Sequence, residues 1–461
     1  MESNPTYTVV LGGGESGVGA AILAKDLGMK VFLSDFGTVP ARYADILSAE
    51  GIDWEQGGHT LDKILSADQV VKSPGIPPTA PVMKAIAEKG IPVISEIEFA
   101  GRYTKSKMVC ITGSNGKTTT TMLTYHILRD AGVNVGLAGN VGRSLALQVA
   151  REPHDVYVIE LSSFQLENMY DFRANIAVIL NITPDHLDRY DGKMQNYVNA
   201  KFRILNNLTP QDAFIYWHDD PVIARQLEHV TTEASLYPFS EEPLPESRAW
   251  VDKESDEIVF STPGTSMTMP RSELSLHGLH NLYNSLAAGL SACLLDIRRD
   301  DIRRALSDFE GVSHRLERIG VVDGVTWIND SKATNVNSCW YALECMPEKS
   351  EPSVVLILGG KDKGNDYSEI LPLVRRKVKA VVCMGKDNAK LLDFFSAEVP
   401  AIRSTHSLDE AVAACRELAA EGDTVLLSPC CASFDLFNSY EHRGDLFRDA
   451  VKKLSSDICN H

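Results

Sequence analysis

KMVCITGSNGKTTTTMLTYHILRDAG, residues 107–132, places an apolar run before a glycine-bracketed turn, a lysine and four threonines. This order predicts a strand, a phosphate-binding loop and a helix, because convergent backbone N–H groups and a helix N-terminus hold phosphate oxygens. Lys117 is expected to reach the terminal phosphates, and Thr118 to offer its hydroxyl to Mg²⁺. Gly113 and Gly116 are separated by two residues, where the standard loop has four. The stretch therefore predicts an ATP-binding loop of a distinct subclass.

The N-terminal part of the chain alternates short apolar runs with a helical segment. YTVVLGG and KVFLSD are predicted strands on either side of a helix at 17–28, which indicates a parallel, doubly wound sheet. Gly12, Gly14 and Gly17 follow the first strand with the spacing of a dinucleotide-binding turn, and Asp35 ends the next strand. Such a turn suits NAD or any other ligand with a diphosphate, including a nucleotide sugar, and its glycines can also serve helix packing alone.

The strand–loop–helix pattern restarts twice along the chain, so we predict an α/β protein of three domains. The first is a Rossmann-like parallel sheet at 1–104. The second, at 105–312, is a P-loop ATPase-like domain, and its turn-rich segment 238–275 predicts a small β-meander. The third, at 313–461, is another Rossmann-like domain, entered through a connector with the sequence FEGVSHRLERIG.

Composition limits the function classes. The chain of 461 residues carries a net charge of −17, which argues against nucleic acid as a partner because phosphate-backbone binders present a basic face. It has no run of 18 apolar residues and no basic, cleavable N-terminus, so we expect neither a membrane span nor a signal peptide. Nine cysteines without paired metal spacing predict reduced, mostly buried thiols in a cytoplasmic protein.

Three polar residues of the central segment are candidates for metal chemistry. Glu160 closes the apolar run VYVIE, where a Mg²⁺ carboxylate would face the phosphate loop. His186 follows another predicted strand, and by spacing alone it is more often a core or surface histidine than a ligand. Lys201 lies in the predicted helix NYVNAKFRIL beside inward-facing apolar positions, which by spacing predicts a surface lysine with a packed stem.

Three loops of the last domain each follow a predicted strand. They are NDSKATN at 329–335, LGGKDKG at 358–364 and SPCCASFDLFNSYEHRG at 428–444. Each can be an ordinary polar loop. Together they lie at the carboxyl ends of a predicted parallel sheet, which is the ligand-binding face of such folds.

These motifs, taken in order, resemble the Mur ligases, the ATP-dependent amide ligases of peptidoglycan precursor synthesis. The resemblance covers essentially the whole chain and rests on TGSNGKTT, ELSSFQL, NITPDHLDRY, AKFRI, HNLYN, SHRLE, NDSKATN and LLSPCCASFD. It implies ATP and Mg²⁺ as cofactors. Within the family, the N-terminus and the last loop imply a ligase that joins D-glutamate to UDP-N-acetylmuramoyl-L-alanine through an acyl phosphate. The resemblance also favours a monomer.

The resemblance implies roles for individual positions. The ATP site would comprise Gly113, Ser114, Asn115, Gly116, Lys117, Thr118, Thr119, Asn281, Asn284, Arg315 and Asp330. The Mg²⁺ ligands would be Thr118, Glu160, His186 and Lys201, with His186 on a second ion and the lysine as a carbamate. The catalytic residues would be Lys117, His186 and Lys201. UDP-binding positions are Glu15, Ser16, Asp35, Ser73 and Gly75; Asn140 matches a muramoyl contact, and Gly14 and Ser162 are further substrate positions. D-Glutamate would be framed by Lys332, Thr334, Lys363, Ser433, Phe434 and Tyr440, the last standing where phenylalanine is common.

Other functions compete with this interpretation. A related Mur ligase would add another amino acid, although the pair Lys332 and Lys363 suits a side-chain carboxylate. An NAD-dependent oxidoreductase would account for the N-terminal glycines and leave TGSNGKTT unexplained. A non-catalytic ATP-binding module would bind the nucleotide without turnover.

Overall fold

The computed structural model describes residues 5–362 and 364–458. By contacts the chain forms two compact units, one running to Leu274 and including Tyr283–Asp308, the other comprising Ser275–Leu282 and the chain from Phe309. The first unit contains two sheets and the second contains one. The predicted α/β class is confirmed, whereas the predicted domain boundaries at 104/105 and 312/313 stay predictions.

The N-terminal sheet is parallel throughout, in the order β3-β2-β1-β4-β5. Its strands are β1 Tyr7–Leu11, β2 Lys30–Asp35, β3 Asp53–Gln56, β4 Gln69–Lys72 and β5 Val93–Ser95. Its helices are α1 Glu15–Asp26, α2 Ala41–Ala49, α3 Leu61–Ile64, α4 Pro81–Lys89 and α5 Glu96–Gly101. The strand order reverses beside β1, so the turn after β1 lies where doubly wound sheets bind ligands.

Helix α1 begins and ends two residues earlier than the predicted span 17–28. Gly14 has extended backbone angles and forms the N-cap, so the helix begins directly after the glycine turn. The helix N-terminus consequently lies closer to the turn than the sequence indicated.

The central sheet has nine strands among the described residues, in the order β14-β13-β12-β11-β10-β9-β6-β8-β7. They are β6 Lys107–Thr112, β7 Val135–Gly139, β8 Val156–Glu160, β9 Ile176–Ile179, β10 Ala213–Trp217, β11 Ser235–Phe239, β12 Ala249–Asp252, β13 Glu257–Ser261 and β14 Ser266–Pro270. The strands β12, β13 and β14 pair antiparallel, which confirms the predicted meander. The meander continues the parallel sheet instead of standing apart from it, because β11 pairs with β12.

Helices alternate with and follow the strands of this part of the chain. They are α6 Lys117–Asp130, α7 Leu145–Arg151, α8 Ser163–Leu166, α9 Met194–Phe202, α10 Pro221–Leu227, α11 Leu279–Cys293 and α12 Arg299–Asp308, with 3-10 turns at Leu187–Tyr190, Arg203–Leu205 and Arg271–Glu273. One apolar core runs under the N-terminal and central sheets and includes Phe99, Tyr157 and Phe214. These two layers therefore pack as one body.

The sheet of the second unit has the order β15-β16-β20-β17-β18-β19. Its strands are β15 Glu317–Val322, β16 Val325–Asn329, β17 Val354–Gly359, β18 Val378–Met384, β19 Ala401–Thr405 and β20 Thr424–Cys430; its helices are α13 Val336–Glu344, α14 Leu371–Lys377, α15 Ala389–Phe395, α16 Leu408–Leu418 and α17 Tyr440–Ile458, with a 3-10 turn at Tyr367–Glu369. The prediction of a connector through residue 320 was wrong at its end, because Glu317–Val322 forms an antiparallel edge strand with β16.

The cysteines of the described chain are free and, except for the half-buried Cys345, buried. This confirms the expectation of reduced, mostly buried thiols for these residues. None of the described helices combines the length and the apolar composition needed to cross a membrane.

Candidate active site

The loop between β6 and α6 contains two glycines with positive φ, Gly113 and Gly116. Gly116 is the N-cap of α6 with φ of 82°, in the left-handed region that favours glycine. Ser114 and Asn115 donate their backbone N–H groups to Asn181, which follows β9, at 2.8 Å each. The hydroxyl of Ser114 donates to the carbonyl of Thr183 at 2.9 Å. The loop is therefore fixed by the neighbouring strand end before any ligand binds.

Two lysines converge on this loop. The ammonium groups of Lys117 and Lys201 both donate to the carbonyl oxygen of Gly113, at 2.9 and 2.7 Å. Lys201 is 1% exposed, so the prediction from spacing that it lies at the surface was wrong. Burial, and then the positive charge of Lys117, hold the pKa of Lys201 well below its ordinary value.

Tyr197 is a site residue that the sequence reasoning missed. Its ring lies under the Lys201 ammonium at 4.6 Å from the centroid, and its hydroxyl lies 3.0 Å from that of Ser114. Tyr197 precedes Lys201 by one helical turn in α9, so the i,i+4 spacing was the available signal. The face of the ring therefore contacts the Lys201 ammonium in a cation–π geometry.

Glu160 ends β8, the neighbour of β6, and is 1% exposed. Its Oε1 accepts from the side-chain amide of Asn140 at 3.1 Å. Its Oε2 is buried and has no hydrogen-bond partner among the described residues. A buried carboxylate oxygen without a partner is costly unless a cation compensates it. This orphaned oxygen beside a phosphate-type loop fits a Mg²⁺ ligand.

His186 lies at the opening of the Leu187–Tyr190 turn with φ of 51°. Its Nε2 lies 3.5 Å from the Asp185 carboxylate, and its side chain is 42% exposed. Its ring meets the edge of Phe164 at 5.2 Å between centroids. The side chain of His186 is thus packed against Phe164 and partly exposed to solvent.

The threonines after Lys117 divide between roles. Thr118 and Thr119 are buried at the helix start. Thr120 donates its hydroxyl to the side-chain carbonyl of Asn284 at 3.1 Å. That contact places Asn284 against the phosphate-loop helix. Ser162 caps α8 through a capping box with Gln165.

The glycine turn after β1 has the form of a diphosphate site. A Cβ on Gly12 or Gly17 would lie 2.4 Å from the Ser73 hydroxyl or 1.9 Å from the Gly12 carbonyl, whereas a Cβ on Gly14 would meet nothing within 4 Å. The first and third glycines therefore permit close packing, and the second leaves open space for a ligand. The open position faces the N-terminus of α1, which favours an anion.

Both carboxylate oxygens of Asp35 accept hydrogen bonds from the backbone. Its two carboxylate oxygens accept the backbone N–H groups of Gly13 and Gly37 at 2.6 and 2.7 Å. Ser73 donates its N–H to Leu11. The further predicted positions in this layer are the half-buried Ser16 and the exposed Glu15 and Gly75.

In the second unit, Asp330 follows β16 and is 7% exposed. It accepts from the Ser428 hydroxyl at 2.8 Å and from the Leu316 N–H at 3.3 Å. Burial raises the pKa of Asp330 to about 7. The half-buried Arg315 lies near enough to lower it in part. The Asp330 carboxyl group is thus buried, and each of its oxygens accepts one hydrogen bond within the second unit.

Lys332 and Tyr440 meet in the same unit. The Lys332 ammonium lies 3.7 Å from the centroid of the Tyr440 ring, a cation–π geometry. Ser433 is buried and Phe434 is 69% exposed on the neighbouring loop, and Thr334 is half-buried. The structure therefore brings Lys332 and Tyr440 together, while Lys363 lies outside the described residues.

Asn281 lies at the start of α11, where its amide donates to the His277 carbonyl at 2.9 Å. The ring of the adjacent His280 lies tilted against that of Tyr341, with 4.2 Å between centroids. Burial, and then the charge of Arg315, lower the pKa of His280 to about 3, so this ring is neutral. The sequence reasoning did not single out His280, although it stands within the quoted motif HNLYN.

Models of protein families match three segments of the chain. The Mur ligase MurD-like N-terminal domain matches residues 6–95, the Mur ligase middle domain residues 111–292, and the Mur ligase glutamate ligase domain residues 314–431. A Bacteroides fragilis protein described as UDP-N-acetylmuramoylalanine–D-glutamate ligase is 60% identical over 447 residues, 97% of this chain and 99% of that protein. A Porphyromonas gingivalis protein of the same description is 54% identical, over 97% of this chain and 98% of that protein.

Solved structures match over nearly the same span. A pseudomurein peptide ligase type C from Methanothermus fervidus has a TM-score of 0.61 at 21% identity, covering 97% of this chain and 100% of that one. The UDP-N-acetylmuramate-alanine ligase MurC from Thermotoga maritima also has a TM-score of 0.61, at 18% identity, covering 97% and 99%. At these identities the match establishes the fold.

Proposed function

The chain belongs to the Mur ligase family, and from that premise we propose that it joins D-glutamate to UDP-N-acetylmuramoyl-L-alanine with cleavage of ATP to ADP and phosphate. The observation that carries the proposal is the buried cluster at the phosphate loop, where Lys117 and Lys201 share one carbonyl beside the orphaned oxygen of Glu160. The relatives at 54–60% identity carry this activity in their descriptions.

ATP is proposed to bind with its phosphates in the loop that contains residues 113–119. The N-terminus of α6, whose N-cap Gly116 makes no side-chain hydrogen bond, directs backbone N–H groups toward the phosphates, and the Lys117 ammonium supplies positive charge. Lys117 lies in that position already, because it is anchored on the carbonyls of Gly113 and Ser114. Binding of the phosphates would exchange these neutral carbonyl acceptors for anionic phosphate oxygens.

Mg²⁺ fits the donors beside this loop. Glu160 would hold one ion through Oε2 and His186 would hold a second ion, with Thr118 and a carbamate on Lys201 as the further proposed ligands. When bound, Mg²⁺ neutralises charge on the transferred phosphoryl group. Lys201 suits carbamate formation because a neutral amine is the form that adds CO₂, and its pKa is lowered by burial.

The reaction follows from the chemistry of a carboxylate. An amine cannot displace oxide from a carboxylate at neutral pH, so the alanyl carboxylate of the nucleotide substrate first attacks the γ-phosphorus of ATP and releases ADP. The amine of D-glutamate then attacks the acyl phosphate, loses a proton, and inorganic phosphate leaves from the tetrahedral intermediate. Lys117 stabilises charge on the phosphoryl oxygens in the first step, so catalysis is mainly positioning and electrostatics.

D-Glutamate is proposed to bind in the second unit. Lys332, held over the ring of Tyr440, would pair with a carboxylate of the amino acid, and Lys363, Thr334, Ser433 and Phe434 are the other proposed contacts. Asn281, Asn284, Arg315 and Asp330 are proposed to contact ATP. The UDP end is proposed to bind at the open glycine turn through Gly14, Glu15, Ser16, Asp35, Ser73 and Gly75, with Asn140 and Ser162 toward the muramoyl end.

The decisive experiment is phosphate release with UDP-N-acetylmuramoyl-L-alanine and a panel of amino acids. We expect release with D-glutamate and little with L-alanine or a diamino acid, and none when either co-substrate is omitted. Equal ATP hydrolysis without both co-substrates would exclude the ligase. Preference for another amino acid would show that the chain has a different activity within the family.

A further inference from the structure

Two carboxylates from the N-terminal layer meet at one serine of the central layer. The hydroxyl of Ser144 donates to Oε1 of Glu96 at 2.7 Å, and its backbone N–H donates to Oε1 of Glu15 at 3.2 Å. Ser144 is 4% exposed and Glu96 is 5% exposed. The Ser144–Glu96 hydrogen bond therefore joins two buried groups, where a hydrogen bond is stronger than in water.

The same serine begins helix α7. Its hydroxyl accepts the N–H of Leu147 at 3.2 Å, and Glu96 also accepts the N–H of Ala146 at 2.6 Å. Two acidic side chains thus lie at the N-terminal, positive end of α7. The serine hydroxyl is used as both donor and acceptor, so its orientation is determined.

Helices α1 and α7 approach closely at this point. A Cβ on Gly19 of α1 would lie 2.0 Å from the Ser144 hydroxyl oxygen. A side chain larger than hydrogen at that position would push the serine away. Helices α1 and α7 are therefore tightly packed against each other at this contact.

Each end of this contact leads to a ligand-binding element. Glu15 is the first residue of α1, directly after the open glycine turn. On the other side, four residues before Ser144, Asn140 binds Oε1 of Glu160. The segment that contains Asn140 and Ser144 is held in place by the side chain of Gln148. Its side-chain amide donates to the carbonyls of Leu137 and Arg143 at 3.0 and 3.2 Å.

We infer that Ser144, held by Glu15 and Glu96, is a positioning residue that fixes the glycine turn of the N-terminal layer relative to Asn140 and the Glu160 carboxylate. The inference rests on the proposed function, since it concerns a nucleotide substrate that spans both elements. A ligand that touches the glycine turn alone gains nothing from this link. A ligand that must reach from the turn to Glu160 depends on it.

Binding calorimetry with two ligands separates these cases. Ser144→Ala removes the hydroxyl link to Glu96 and leaves the backbone N–H for Glu15. We expect it to weaken binding of UDP-N-acetylmuramoyl-L-alanine about tenfold, the effect of leaving one buried hydrogen-bonding group unsatisfied. Binding of UDP alone should change by less than about twofold. Ser144→Thr retains the hydroxyl and the cap, and it should restore the wild-type affinity for the longer ligand.

Ser407→Ala is the matched control for a lost helix cap. Ser407 caps α16 in the second unit through the N–H of Glu410, and its loss should lower the melting temperature without changing either affinity. Equal weakening of both ligands by Ser144→Ala, or of neither, would overturn the inference. A wild-type protein that binds both nucleotides but releases no phosphate would instead refute the proposed function and leave the binding comparison to decide the inference.

Discussion

The ammonium groups of Lys117 and Lys201 donate to a single acceptor, the carbonyl oxygen of Gly113. Two cations on one buried carbonyl repel each other, and that repulsion contributes to the lowered pKa of Lys201. An anion or a covalent change at Lys201 would relieve it. The geometry at this carbonyl therefore prepares both the phosphate site and the reactive amine.

Replacing Lys201 by methionine keeps the length of the side chain and removes the amine. We expect kcat to fall by at least about 100-fold, because an oxygen ligand beside the phosphoryl group cannot form. Wild-type activity should also fall when CO₂ is removed from the buffer. Phosphate release measures both effects, and Lys193→Met, at the exposed start of the same helix, should be neutral. Full activity with an amine shown by intact mass to be unmodified would contradict the carbamate.

Replacing Glu160 by glutamine tests the metal proposal. The amide keeps the acceptor for Asn140 and removes the charge, so we expect kcat to fall about 100-fold and the Mg²⁺ requirement to rise. A Mg²⁺ titration of phosphate release provides the measurement. Glu152→Gln changes an exposed glutamate that pairs with Arg143, and should leave the titration unchanged. An unaltered Mg²⁺ requirement in the Glu160 variant would remove this residue from the ligand set.

The Tyr440 ring is expected to orient Lys332 through its face and not through its hydroxyl. Tyr440→Phe should therefore keep the KM for D-glutamate within about twofold, whereas Tyr440→Ala should raise it about fivefold, the worth of about 1 kcal/mol. The KM for ATP is the internal control in each variant. Similar D-glutamate KM values for the phenylalanine and alanine variants would mean that the ring does not position the lysine.

The buried carboxyl of Glu96 should make stability depend on pH. Burial is the largest of the influences that together raise its pKa from 4.5 to about 7. Between these values the folded chain holds a proton that the unfolded chain has lost, so the free energy of unfolding falls as pH rises through this window. The full effect is at most about 3 kcal/mol.

Glu96→Gln removes this titration and retains an acceptor for Ser144. We expect the melting temperature of the variant to fall less between pH 5 and pH 8 than that of the wild type, by thermal unfolding in matched buffers. Asp330, whose pKa is also raised to about 7, acts in the same direction, so some slope should remain. A variant with the complete wild-type slope would show that Glu96 is already ionised at low pH.

Much of the architecture was available from local patterns. The alternation of apolar runs and helical segments predicted the α/β class, and strands such as KVFLSD were found at their predicted residues. The edge strands β3, β15 and β19 were missed, because most of their positions are exposed or half-buried and carry little of the apolar signal that marks a buried strand. Helix α1 was displaced by two residues because the Gly14 cap does not bond through a side chain.

The sequence by itself determined the phosphate loop, since the strand, glycines, Lys117 and the helix start are neighbours along the chain and their geometry is local. Only the tertiary structure decided the burial of Lys201, whose bond to Gly113 joins residues 88 positions apart. It also decided the meeting of Ser144 with Glu96, which are 48 positions apart. The periodicity of a sequence indicates which face of a helix is apolar. The residues that cover that face depend on the strand order of the sheets and on how the layers pack. The charge state of a buried amine follows from those partners, and so could not be found from spacing.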